Sequence, residues 1–265
     1  MNTKPVFALT LILALSFAII SCKKNSSDPM PVTPTPTIVA PTGSINGIYS
    51  VSDTLKVYFS QGNLQHQNFT HTWKFAENQY DFIGNANSST YNLQWKDLFS
   101  WGTTVDTLDA WRRLSKDEWE YVFERRNTNS GILFAKANVN NINGIILFPD
   151  DWNADYYDVN EPNLGYAHYD SNVIDSTDWK NKLEANGTVF LPATGCLSSG
   201  EVLSPGEYGY YWSSTYYNDP IYPNSGFAYL TVFGIGYVSP AQHNLTQLGF
   251  AIRLVYPISS GCLRF

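Results

Sequence analysis

The first apolar run covers residues 6–20, behind a short polar start that carries Lys4. At about 15 residues it is shorter than the roughly 20 needed to cross a bilayer as a helix. That profile predicts a secretory signal over 1–21 rather than a spanning helix. A polar stretch follows over 22–44, with proline at 29, 31, 34, 36 and 41. Such chain stays extended and builds no core, so it reads as a tether. From residue 45 the pattern changes to short runs broken by turns. Residues 55–59 and 72–75 read as strands, with a turn at Gln61, Gly62 and Asn63 between them, and 80–87 is turn-like. The strongest helix is 116–126. Ser115 is placed as its N-cap and Glu118 completes a capping-box pattern, while Trp119, Val122 and Phe123 share one face. Arg125 and Arg126 suit its C-terminal end. A second helix is predicted over 177–185, with Trp179 and Leu183 inward and Asn186-Gly187 as its stop. Short buried strands are expected at 145–148 and 189–191, then further strands at 210–215, 227–233 and 249–256. The predicted class is α+β: one domain over 45–257, with two helices on a mostly antiparallel, loop-rich body and a short tail at 258–265.

Composition narrows the partners. The net charge is −7 with no basic run, which argues against nucleic acid. Charged residues make up 15% and aromatic residues 15%, including 18 tyrosines, so contact chemistry here rests on rings more than on charge. Of three cysteines, Cys22 closes the signal segment; Cys196 and Cys262 can form one disulfide or stand as two thiols.

Ile19-Ile20-Ser21-Cys22 resembles the processing site of bacterial lipoproteins. The resemblance implies cleavage before Cys22 and lipid on its thiol and amino group, hence a membrane anchor in the outer membrane. Lys23-Lys24-Asn25 is no evident surface-export signal, so exposure to the periplasm or to the exterior stays open. Further segments carry a family resemblance. Residues 111–121 (WRRLSKDEWEY), 191–195 (LPATG), 211–215 (YWSST) and 249–255 (GFAIRLV) are similar to segments of Bacteroides-type surface lipoproteins. These belong to the formylglycine-generating-enzyme branch of the C-type-lectin-like fold and include the Fibrobacter succinogenes major paralogous domain type. Residues 59–64 (FSQGNL) and 97–102 (DLFSWG) fit the same set. The resemblance covers about 55–257. It implies a C-type-lectin-like fold: a small twisted antiparallel sheet, two helices and long loops. It also relates the chain to targets of diversity-generating retroelements, which vary Tyr, Asn, Ser and Asp positions near the C-terminus.

The enzymatic side of that branch uses a cysteine pair near the C-terminal strand. Residues 244–249 (NLTQLG) hold no cysteine, so no catalytic residue and no enzyme activity is expected. His66 and His71 lack metal-ligand partners at zinc spacing, and no nucleophile elbow or phosphate loop occurs. Asp150, Asp151, Asp155, Asp158 and Glu161 cluster in one segment. They admit two minor readings, a calcium site or a glycan hydrolase using two placed acids. Glu161-Pro162-Asn163 spells the calcium and mannose motif of animal C-type lectins, but the Trp-Asn-Asp partner is missing in its place, and the match reads as coincidence. Arg253 reads as a paired structural charge. The expected site is instead the tyrosine-rich end, with Tyr216, Tyr217, Asn218, Asp219, Tyr222, Asn224 and Tyr237 as ligand contacts and Tyr210 and Tyr229 as packing. The expected function is a non-catalytic module binding an external glycan or protein through the 152–170 loop and the 208–245 region. The alternatives are a structural or assembly component of the envelope and the hydrolase. No cofactor is expected, calcium being the one candidate.

Overall fold

A computed structural model describes residues 39–91, 93–103, 108, 110–221 and 226–258. Residues 1–21, expected as a signal, Cys22, most of the expected tether, Tyr222, Asn224 and Cys262 lie outside these residues. Strands β1 (Tyr49–Ser50) and β2 (Lys56–Phe59) start the domain. β3 (Leu64–Gln67) and β4 (Thr72–Phe75) form a hairpin, and β5 (Trp95–Lys96) pairs with the free side of β3. The turn expected at Gln61–Asn63 therefore joins β2 to β3, not to the 72–75 strand. The reversal before β4 uses His71 at φ +51°. The sequence LQHQ of β3 has too few apolar positions to announce a strand.

β6 (Arg112–Arg113) leads into α1 (Lys116–Glu120). The capping box is present: Glu118 N donates to Ser115 Oγ at 3.2 Å, and Ser115 N donates to the Glu118 carboxylate at 2.7 Å. Regular α geometry lasts five residues, and the turn then widens to a π-type segment over Tyr121–Arg125. Arg126 N accordingly reaches back five residues to Tyr121 O. The Arg126 guanidinium does not face solvent at the helix end. It is buried and donates to the carbonyls of Val122, Leu133 and Phe148, with Asp150 at 3.5 Å.

β7 (Phe134–Val139) and β8 (Ile142–Leu147) are joined by Asn140-Asn141, both at positive φ, the two-residue turn that suits strand twist. β9 (Val173–Ile174) precedes α2 (Ser176–Asp178), which Asp175 caps through Thr177 N and Asp178 N. This helix also widens, over Trp179–Leu183, and ends at Gly187 with φ +83°. Glycine is required there for a second reason. A Cβ on Gly47 would lie 2.1 Å from Gly187 O, so the two backbones touch. The chain continues through β10 (Val189–Pro192), β11 (Cys196–Ser198), β12 (Glu201–Leu203), β13 (Gly209–Tyr217), β14 (Phe227–Gly234), β15 (Tyr237–Leu245) and β16 (Leu254–Pro257).

The class is α+β, as the pattern predicts: small, mostly antiparallel sheets with two short helices. Sheet orders are β1-β2-β16-β6, β10-β8-β7-β9, β13-β14-β15, β4-β3-β5 and β11-β12, and among the strand pairs of the described residues only β7–β9 is parallel. Described residues fall in one compact unit, whose core has three parts. Trp119, Val122 and Phe123 of the first helix pack with Phe59, Tyr211 and Phe233. Trp179 and Leu183 of the second pack on Ala135, Ile146 and Phe190. Trp212, Leu230, Phe250 and Ile252 form the third part, where Trp212 Nε1 donates to Phe99 O at 2.7 Å.

The continuous strand expected over 249–256 is interrupted. Only Leu254–Pro257 forms a ladder. Gly249, Phe250 and Ala251 make single bridges to Leu197, Phe99 and Tyr211, because the segment threads between several sheets with both sides buried. Within it, Arg253 is fully buried, yet its partners are amides and not the carboxylate a paired charge would have. Nη2 donates to Gln79 Oε1 at 2.6 Å and Nη1 to Asn63 Oδ1 at 3.4 Å. Burial pushes the guanidinium down to about 10.

Candidate functional site

The three-stranded sheet β13-β14-β15 carries the predicted contact residues, and its length separates them. β13 has nine residues, about 30 Å of extended chain. Tyr217 pairs with Phe227 at one end, while Tyr237 pairs with Gly234 at the other. The predicted set is therefore two places, not one.

At the first end, Tyr217 stacks on His243, with centroids 4.0 Å apart and planes 3° from parallel, and meets Tyr229 edge-on. Lys116 Nζ lies 5.6 Å from the Tyr229 ring. Tyr216 turns to the other face, packs on Trp101, and its hydroxyl accepts from Gly226 N. Tyr216 and Tyr217 are half-buried, so part of each ring serves packing. Asn218 is exposed, and Asp219 Oδ1 accepts from Ile221 N, closing a tight local turn.

At the second end, Tyr237 is 41% exposed and sits 6.3 Å from Tyr208, which in turn lies 6.1 Å from Tyr210. Tyr210 stacks on Phe250, as packing predicts, but also walls a groove. The groove has about 350 Å³ of space over a Leu230 and Val232 floor. The groove runs along the sheet from Tyr210 and Tyr237 toward Gln242, His243 and Asn244 of β15, so it reaches the His243 that stacks on Tyr217 at the first end. Its lining holds no carboxylate, lysine or arginine. Burial pushes the Tyr210 phenol up to about 12 and raises Tyr237, so both hydroxyls are neutral donors at physiological pH. Rings, an aliphatic floor and neutral hydrogen-bonding groups suit a ligand with an apolar face and hydroxyl edges. Gln242 and Asn244 were missed in the sequence because β15 is polar and contains Pro240, which obscures a strand.

The 152–170 loop meets this end of the sheet. Lys136 Nζ, buried beneath, donates to Gly165 O and Gly234 O at 2.5 Å each, and the Gly165 backbone lies against Val238. Within the loop the acidic residues are held apart. Asp150 accepts from Ser50 N and Oγ and faces Lys56 at 3.4 Å. Glu161 accepts from Ser171 Oγ. Asn163 accepts from Leu133 N and donates to Gly131 O, so the Glu-Pro-Asn string ties loop to strand. Among the described residues no three His, Cys, Asp or Glu side chains converge on one point. Cys196 is half-buried without a disulfide among these residues, and burial raises its thiol.

Residues 150–255 match a family described as a domain of unknown function (DUF8237). That span takes in the loop, α2 and all of β13-β14-β15. No curated protein and no solved structure matches the chain.

Proposed function

We propose that the chain is a lipid-anchored lipoprotein of the bacterial outer membrane. Its C-type-lectin-like domain binds an external glycan without acting on it chemically. The observation that carries the reading is the groove free of carboxylate, lysine and arginine, with Tyr210 and Tyr237 on its walls and Gln242 and Asn244 on its rim. A sugar ring offers a C–H face to stack on tyrosine and hydroxyls that pair with amides. The fold reading is supported by the pairing of the last strand, β16, with the second, β2, in one sheet, together with two short helices and long connecting loops. The anchor rests on Cys22 and the apolar run before it.

The test is a glycan array probed with the full chain, its Tyr237→Ala variant and its Gln242→Ala variant. Wild type should bind, and each variant should bind about tenfold more weakly with an unchanged unfolding temperature, the order expected for one lost aromatic or polar contact. Equal binding by both variants removes the groove from the reading. In the same preparations Cys22→Ser should abolish partition into detergent, and retained partition refutes the anchor. A protein ligand is the second reading. It is favoured by Tyr166, 65% exposed, and Ile235, 54% exposed, on the loop and the hairpin turn that meet there. Absence of any array signal together with recovery of one stoichiometric envelope protein would replace the glycan with it.

A further inference from the structure

A second cleft, on different elements, has chemistry of its own. It lies where the β7–β8 hairpin tip meets the short 3₁₀ segment Gly84–Ser88 and the turn after β12, and it holds about 390 Å³. Four asparagines line it: Asn85, Asn138, Asn141 and Asn143, beside Phe82 and Gly206. None of its lining residues is charged. Asn138 and Asn143 face each other across the hairpin, and Asn138 Nδ2 donates to Asn143 Oδ1 at 2.8 Å. Asn143 Nδ2 donates in turn to Gly206 O at 3.0 Å. That pair is fixed, and Asn141 is held by the positive-φ turn, at φ +65°. The opposite wall is fixed too. The buried Asp97 carboxylate accepts from Ile83 N at 2.8 Å and Asn87 Nδ2 at 2.7 Å. Phe82 is half-buried, with its ring against Gly84, where a Cβ would lie 3.4 Å from the ring.

The side-chain amides of Asn85 and Asn141 are exposed, and like the Oδ1 of half-buried Asn138 they make no hydrogen bond to another described residue, so all three face the solvent that a ligand would displace. The cleft thus combines three unpartnered amide functions, one aromatic face and no charge on a preformed scaffold. We infer that this asparagine cleft is a second binding site, separate from the tyrosine groove, and that it takes a neutral sugar. Each amide offers a donor and an acceptor, which matches hydroxyls that do both. Phe82 supplies the apolar face for one side of a pyranose ring. The volume is at the small end of ligand sites and suits one or two sugar units. An anionic sugar finds no cation here to offset the loss of its hydration.

The site can be read directly through its own nuclei. The full chain, labelled with ¹⁵N, is titrated with the methyl glycosides of glucose, galactose, mannose and N-acetylglucosamine, and with glucuronate. The side-chain amide signals of Asn85, Asn138 and Asn141 should shift with at least one neutral glycoside and stay in place with glucuronate. They should still shift in Tyr237→Ala, which alters only the tyrosine groove. Asn141→Gly keeps the positive-φ turn while removing the amide. That variant should weaken the titration about tenfold. The inference falls if no asparagine signal moves with any of the four glycosides, if glucuronate moves them equally, or if Asn141→Gly binds as wild type does. Shifts confined to Gln242 and Asn244 would support the groove and overturn this cleft. Shifts produced only by a peptide would overturn the sugar assignment.

Discussion

The Asn163 side chain ties together three main-chain groups, accepting from Leu133 N at 2.7 Å and Phe134 N at 3.3 Å and donating to Gly131 O at 2.8 Å. It does so from φ +60°, a conformation asparagine tolerates and alanine does not. Asn163→Ala should therefore cost about 2 kcal/mol of unfolding free energy, roughly half from lost bonds and half from strain. Asn163→Gly should cost less, because it loses the bonds but not the conformation. Chemical denaturation of the two variants checks this, and equal losses would contradict the strain component. The same residue explains why a three-letter motif misleads. In Glu161-Pro162-Asn163 both polar side chains bond to other parts of the chain, which spacing along the sequence does not reveal. Arg253 teaches a related lesson. Its burial was readable from the apolar residues on both sides, but its partners Gln79 and Asn63 lie 174 and 190 residues away.

Between the elements, Asp97 holds the segment carrying Phe82 and Gly84 to the strand before it. Burial pushes its carboxyl up to about 6 from an ordinary 3.8, against the hydrogen bonds from Asn87 and Ile83 that pull the other way. The folded state then keeps a proton between about pH 4 and pH 6 that the unfolded chain has released. This residue's contribution is thus complete below about 4 and is lost as the pH rises through about 6. Relative to Asp97→Asn, the wild type should lose about 3 kcal/mol of stability between pH 4 and pH 7. Unfolding free energies of both proteins across that range test the sign, and a flat or rising difference refutes it. Elements with strong local signals were legible. α1 has a capping box and an i, i+3, i+4 stripe, and α2 has an aspartate cap and a glycine stop. β7 was not, because FAKANV buries Lys136 among apolar neighbours and so breaks the expected pattern. Both helices turn π-type early, after five residues in α1 and three in α2, which residue propensity does not encode.

For the molecule as a whole, the described tyrosines of the 208–237 region gather on and beside one three-stranded sheet, yet they separate along it. Closeness in sequence became distance in space once β13 and β14 ran their full length, and Tyr237 joined Tyr208 and Tyr210 at the far end from Tyr217. The partner strand β15 and the asparagine cleft depend on pairings across the chain, so neither shows in local composition. One feature recurs throughout the globule. Lys96, Arg126, Lys136 and Arg253 each grip carbonyl oxygens, Lys96 through Asn87 O at 2.6 Å and Ala86 O at 3.2 Å, and only Arg126 has a carboxylate within reach. A clamp between a cation and a neutral dipole has no counter-ion that dissolved salt can screen or that acid can neutralise. Dissolved ions act on more exposed pairs such as Lys182 with Asp178 and leave the buried clamps of Lys136 and Arg253 largely alone. Contacts of this kind inside the globule are thereby indifferent to whether its surroundings are fresh or briny.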